Sequence, residues 1–122
     1  MLRETARKDD TAPVENPPGI FRRTIAYNDH LMLCHFTLAK GSRIPLHEHA
    51  AAQNGYLISG RMRMTWEDGR ELLADPGSGW CFMPHERHGA EVLEDSEAVE
   101  CFTPARPEYL PPGPPPLQGQ SC

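Results

Sequence analysis

No stretch of this 122-residue chain stays apolar long enough to span a membrane. The opening segment, MLRETARKDDTAPVENPPG, also lacks the apolar run of a signal peptide. Both absences point to a cytoplasmic protein with no membrane partner. Cysteine is scarce. Cys34, Cys81, Cys101 and Cys122 form no C-x-x-C pair and show no close His/Cys zinc spacing. In a cytosolic chain they read as reduced thiols, three of them packed in strands, with a thiolate ligand or a redox thiol as the alternative. Basic excess is missing too. A formal net charge of −5 argues against nucleic acid as the main partner, because phosphate binding needs a basic face. A small anionic substrate stays open, since one or two local arginines override the average. There is no three-turn apolar stripe of helical period and no repeat of solenoid length.

The length suits one domain with one core. Residues 1–19, with Pro13, Pro17 and Pro18, read as a flexible arm. Residues 107–122, PEYLPPGPPPLQGQSC, form a proline-rich tail that cannot build a ladder or a helix. The folded part is then 20–106. Within it short apolar or alternating runs predict strands at 22–27, 31–38, 44–48, 53–59, 61–66, 70–74, 79–83, 88–93 and 98–103. EDGR (67–70) carries the Asp-Gly hairpin signal, ADPGSG (74–79) is a turn by composition, and Ser59-Gly60 allows a tight reversal. RMRMTW alternates, so Met62, Met64 and Trp66 share one face and Arg61, Arg63 and Thr65 the other. Core against solvent explains that face split; the alternative aims one arginine at a ligand. Many short strands at close spacing predict an all-β sandwich or barrel.

In GSRIPLHEHAAAQNGYLISG (41–60), His47 and His49 stand two residues apart and so project from one strand face. Gln53 follows where the next strand begins. A third imidazole is on offer from FMPHERHGAE, at His85 or His88. Imidazoles are common ligands of divalent transition metals, yet His-x-His also occurs on plain surfaces and in hydrogen-bonded cores.

The wider frame is more specific. Gly41, five residues, His47, one, His49, three, Gln53, six, Gly60 resembles the first motif of the cupin superfamily, with Gln53 where that family usually has glutamate. Gly77, five residues, Met83, then His85, two residues and His88 falls on the frame of the second motif, keeping its first glycine and last histidine. The resemblance implies a single-domain double-stranded β-helix, or jelly-roll, barrel. It also implies one divalent metal ion (Zn, Ni, Mn or Fe) held by His47, His49, Gln53 and His88, with His85 at the rim. Such a donor set is uncharged and leaves the ion a strong Lewis acid towards an anionic oxygen. Gln53 cannot serve as a base, so another group must move protons.

ECFTPARPEYL supplies that group. Alternation puts Glu100 and Phe102 on one face and Val99 and Cys101 on the other, with Arg106 in the following turn. A buried carboxylate can act as general acid or base, and an arginine grips a carboxylate with two parallel bonds. A plain surface pair of Glu100 and Arg106 is the alternative. Together with the His-x-His-x3-Gln motif and Tyr56 to Gly60, this segment is similar to the KdgF-type pectin-degradation cupins. In that group the closing motif carries an aspartate where Glu100 stands, one methylene shorter. The resemblance implies Glu100, Phe102 and Arg106 as catalytic residues. It implies conversion of 4,5-unsaturated monouronates to open-chain 4-deoxy-5-keto-uronates. Competing readings are another metal cupin, such as an iron dioxygenase or a polyketide-cyclase-like enzyme, and a non-enzymatic small-molecule-binding cupin. Tyr56 and Ile58 are expected to face away from Gln53, against the outer core or a partner subunit. A homodimer is expected, because a chain this small gains apolar burial by pairing.

Overall fold

The computed structural model describes residues 2–111. They form eight strands: β1 (Val14–Glu15), β2 (Ile20–Tyr27), β3 (Met32–Leu38), β4 (Arg43–His47), β5 (Ala52–Trp66), β6 (Glu71–Ala74), β7 (Gly79–Phe82) and β8 (His88–Thr103). No α-helix occurs among the described residues, and no helix there is long and apolar enough to cross a membrane. The expected all-β barrel is what the chain builds.

Two strands are longer than the alternation predicts. Runs 53–59 and 61–66 are one strand, β5, and runs 88–93 and 98–103 are one strand, β8. The reversal expected at Ser59-Gly60 does not occur. Instead the register slips between Leu57 and Met62. Gly60 lies at φ +96°, and a Cβ there would meet Ser96 Oγ at 2.2 Å, so glycine lets β5 pass close to β8. The bulge also switches which positions face inward. Gln53 and Leu57 are buried before it, and Met62 and Met64 after it. Ser59, which unbroken alternation from Gln53 and Leu57 would turn inward, is exposed.

The same region is where neighbours change. The first half of β5 pairs with β7 and its second half with β6. The first half of β8 pairs with β4 and its second half with β3. Two walls result. One runs β1-β2-β3, the end of β8, the start of β5, then β7. The other runs β4, the start of β8, the end of β5, then β6. β5 and β8 pair with each other from Ala52–Thr103 to Trp66–His88 and belong to both. The core lies between the walls, with Ile20, Met32, Leu57, Phe82 and Phe102 almost wholly buried.

The two predicted turns are in place. Gly69 N–H donates to Trp66 O at 3.0 Å in the β5–β6 hairpin, and Ser78 N–H to Asp75 O at 2.9 Å before β7. Met62 and Met64 face the core. Arg61 reaches Asp75 and Arg63 reaches Glu71 and Glu91, so these arginines serve the surface. Cys34 is buried, whereas Cys81 and Cys101 lie in strands but point outward and are exposed; all three are free thiols. The expectation of three packed cysteines therefore holds for Cys34 alone, and Cys122 lies outside the described residues.

Both ends of the described chain are more structured than an arm and a tail. Val14–Glu15 pair with β2, and Arg3 bridges Tyr27 through bonds of 2.9 Å in each direction. Arg23 donates to the carbonyls of Lys8 and Thr11, which ties residues 8–11 to β2. Past the expected boundary at 106, Pro107–Tyr109 make a 3-10 turn, and Tyr109 packs edge-on against Phe102 and Phe36.

Candidate metal centre

His47 ends β4, His88 opens β8, and the two are paired in register. His49 and Gln53 come from the turn into β5 and from its second residue. The ring centroids of His47, His49 and His88 stand 4.4–5.4 Å apart, and one nitrogen from each lies within 4.8 Å of the others. Each Nδ1–H is engaged by a backbone carbonyl: His47 with Pro45 O at 2.9 Å, His49 with Ala51 O at 2.7 Å, and His88 with Glu86 O at 2.7 Å. That fixes all three in the tautomer whose Nε2 carries a lone pair. His88 Nε2 is buried and has no hydrogen-bond partner.

His49 supplies a sharper test. Its Nε2 faces Gln53 Oε1 at 2.8 Å. With Nδ1 already donating, both atoms are acceptors, and two facing lone pairs repel unless a cation lies between or beside them. Burial pushes His88 down to about 4, and burial together with Arg106 lowers His49, so neither of these two rings takes a second proton near neutrality. Fixed donors that converge on one point fit a divalent transition metal. Phe82 locks the arrangement by stacking on the His88 ring, with centroids 3.9 Å apart and planes 9° from parallel.

His85 is elsewhere. Its backbone N–H donates to His49 O at 2.8 Å, but its exposed ring points to Glu48 at 3.5 Å. It adopts φ +60°, a left-handed conformation at the position where the second motif would carry glycine.

A cavity of about 600 Å3, counting its open mouth, joins this cluster to Glu100, Phe102 and Arg106. Phe102 is 1% exposed, and its ring lies 6.0 Å from that of His49. Glu100 shares its face, so the alternation read in the sequence holds. Trp80 Nε1–H donates to Glu100 Oε1 at 2.7 Å, and the Gln53 side chain also bonds the carboxylate. Gln53 thus turns its oxygen to the imidazoles and its amide N–H to Glu100. Enclosure by protein pushes Glu100 up to about 7, against the pull of Trp80, Gln53 and Arg106. Arg106 does not form a surface pair with it. Its guanidinium lies over the rings of Phe102 (5.1 Å) and Tyr109 (3.9 Å), near Glu108 at 3.5 Å.

Sequence reasoning missed Trp80 and Tyr109. One signal for Trp80 was available in Gly55. A Cβ there would meet the indole at 2.5 Å, so that glycine makes room for the tryptophan that orients Glu100. Tyr109 sat inside a segment whose prolines read as a tail.

Residues 34–103 match the family model for the cupin domain, which is more than half of the chain. The chain belongs to the cupin family. This cupin is 30% identical over 105 residues to the pectin degradation protein KdgF of Dickeya dadantii (strain 3937), covering 84% of the chain and 94% of that protein. The structure of KdgF from Halomonas sp. superposes with a TM-score of 0.80 at 28% identity, over 88% of this chain and all of that one. An RmlC-like cupin from Shewanella frigidimarina NCIMB 400 superposes with a TM-score of 0.84 at 24% identity, covering 89% and 98%. The first two make this cupin KdgF-like; the third shows the fold.

Proposed function

We propose that this cupin is a metal-dependent enzyme converting 4,5-unsaturated monouronates to open-chain 4-deoxy-5-keto-uronates. One observation carries the reading: a carboxylate tuned to about 7 is joined through Gln53 to three converging imidazoles, in a cavity that also holds a guanidinium. The similarity to two KdgF proteins supports it.

His47, His49, Gln53 and His88 would hold the ion. When bound, a divalent metal supplies a Lewis acid that polarises a substrate oxygen. The remaining work falls to the chain. Arg106, pinned on two aromatic rings, presents a preset fork to the substrate carboxylate. Glu100 gives or takes the proton, and its tuning near neutrality suits both directions. Trp80 holds Oε1 of that carboxyl in place, and Phe102 keeps water from the reacting carbons. Gln53 cannot take the proton, but it ties the metal ligands to the group that does.

The test is incubation with an unsaturated monouronate under proton NMR, after elemental analysis of the purified protein. The vinylic signal should vanish faster than without protein, and a chelator should abolish the acceleration. Disappearance at the rate seen without protein would sink the assignment. We also infer a cytoplasmic homodimer in which the outward-facing, half-exposed Tyr56 and Ile58 offer apolar surface; sedimentation of the full chain checks the pairing.

A further inference from the structure

A second cavity lies behind Tyr109, on the side away from the histidines. It encloses about 530 Å3 counting its open mouth, within the usual range for small-molecule sites. Arg22, Thr24, Thr11, Asp10, Arg3 and Tyr109 contribute to its lining. Tyr109 also lines the metal cavity, so its ring partitions the two.

Arg22 is the feature that needs a partner. It is 6% exposed, on the inward face of β2 between Ile20 and Thr24. Its guanidinium lies 4.0 Å from the Tyr109 centroid and makes no hydrogen bond or ion pair among the described residues. The aromatic face offsets part of the cost of burying the charge, but it accepts none of the N–H donors in the plane of the fork. Arg3 is different. Its donors are engaged by the carbonyls of Ile25 and Thr24. Arg106 stands 3.9 Å from the same Tyr109 ring, so two cations share one phenol, but Arg106 has Glu108 at 3.5 Å while Arg22 has no carboxylate beside it among the described residues.

The other wall groups define what else the occupant carries. Thr11 donates its hydroxyl hydrogen to Lys8 O at 2.7 Å, and Thr24 donates its own to Tyr109 O. The Thr11 oxygen is thereby left as an acceptor only, whereas Thr24 Oγ1 also has the Cys34 thiol at 3.7 Å. Asp10 adds a carboxylate that has no ion-pair partner at the cavity among the described residues. A bare anion would satisfy Arg22 and leave these acceptors unmet. A neutral polyol would do the reverse.

We propose that this second cavity binds a hydroxycarboxylate. Arg22 grips the carboxylate through its fork, and the ligand's hydroxyls donate to Thr11 and Asp10. The site stands apart from the metal cluster and does not depend on the uronate reaction assigned above.

The probe is galacturonate, which lacks the 4,5 double bond and so is no substrate for that reaction. It is titrated into the 15N-labelled, zinc-loaded full chain, with galactose and acetate as matched neutral and bare-anion controls. The amides of Thr11, Thr24 and Tyr109 should shift and saturate with galacturonate. Acetate should need about tenfold more, and galactose should not saturate them. Arg22→Gln should weaken galacturonate at these amides about tenfold or more, while shifts at His49 and Gln53 keep their wild-type midpoint. Arg22→Lys, which keeps the charge and loses the fork, decides the matter if the Gln variant does not fold; it too should bind more weakly. Unchanged affinity in the folded variant, or saturation confined to amides around the histidines, would overturn the proposal.

Discussion

The two walls of the cavity are built from halves of the same two strands, yet their inner faces differ in kind. The β4–β6 wall presents Met62, Met64, Ala74, Ala90 and Val92, with His47 and His88 at its end. The opposite wall presents Gln53 and Glu100 to the metal cavity, and Arg22 and Thr24 to the second one. An apolar wall is packed by volume and tolerates exchange at equal volume. A wall that buries charge works only if each group finds its partner, as Glu100 does in Trp80 and Gln53. The contrast separates support from chemistry.

The largest effect should come from the charged wall. Glu100→Gln keeps the shape and an acceptor oxygen for Trp80 but removes the titrating group. Turnover of an unsaturated uronate should drop about a hundredfold to ten-thousandfold with metal content unchanged. Unaltered turnover would strip Glu100 of its role and with it the functional contrast between the walls.

Phe82 crosses from one wall to stack on His88 of the other. Phe82→Ala should cost about 3–5 kcal/mol of stability by chemical denaturation and weaken metal retention on dialysis. Retention at the wild-type level would show the walls to be independent.

The walls should also titrate in opposite senses. In the folded metal-free chain His88 takes its proton near pH 4 instead of 6.5. Between those values the unfolded chain holds more protons, so this contribution is present above pH 6.5 and lost as pH falls towards 4. Glu100 releases its proton near 7 instead of 4.5. Its contribution is present below pH 4.5 and lost as pH rises through 7. Each amounts to about 3 kcal/mol at the extreme, and in the wild type they largely offset each other. Glu100→Gln should uncover the acid loss of stability, read from denaturation midpoints between pH 4 and 7. An unchanged pH profile would contradict the opposition.

The smallest effect belongs to the apolar wall. Met64→Leu conserves volume and should change stability by less than about 1.5 kcal/mol and leave turnover intact, as measured by thermal melts and the uronate assay.

Much of this was legible from spacing. Alternation put His47 with His49, Glu100 with Phe102, and Met62 with Met64, because a strand's period of two is a local property. The same rule failed at Ser59-Gly60, where composition read as a turn. There a bulge keeps β5 continuous and exchanges its inward and outward positions. Tyr109 was misread for a related reason. Proline content describes the backbone of a segment, not the docking of one aromatic ring against Arg22 and Arg106.

By itself the sequence determined the kind of fold and which side chains share a face. Each of those depends on neighbours a few positions apart. Only the tertiary structure decided that Trp80 would meet Glu100, that Gln53 would turn one end to the imidazoles and the other to that carboxylate, and that Tyr109 would divide two cavities. Those contacts join residues from different strands. They depend on pairing register and on the closure of one wall over the other, which no short window of sequence records.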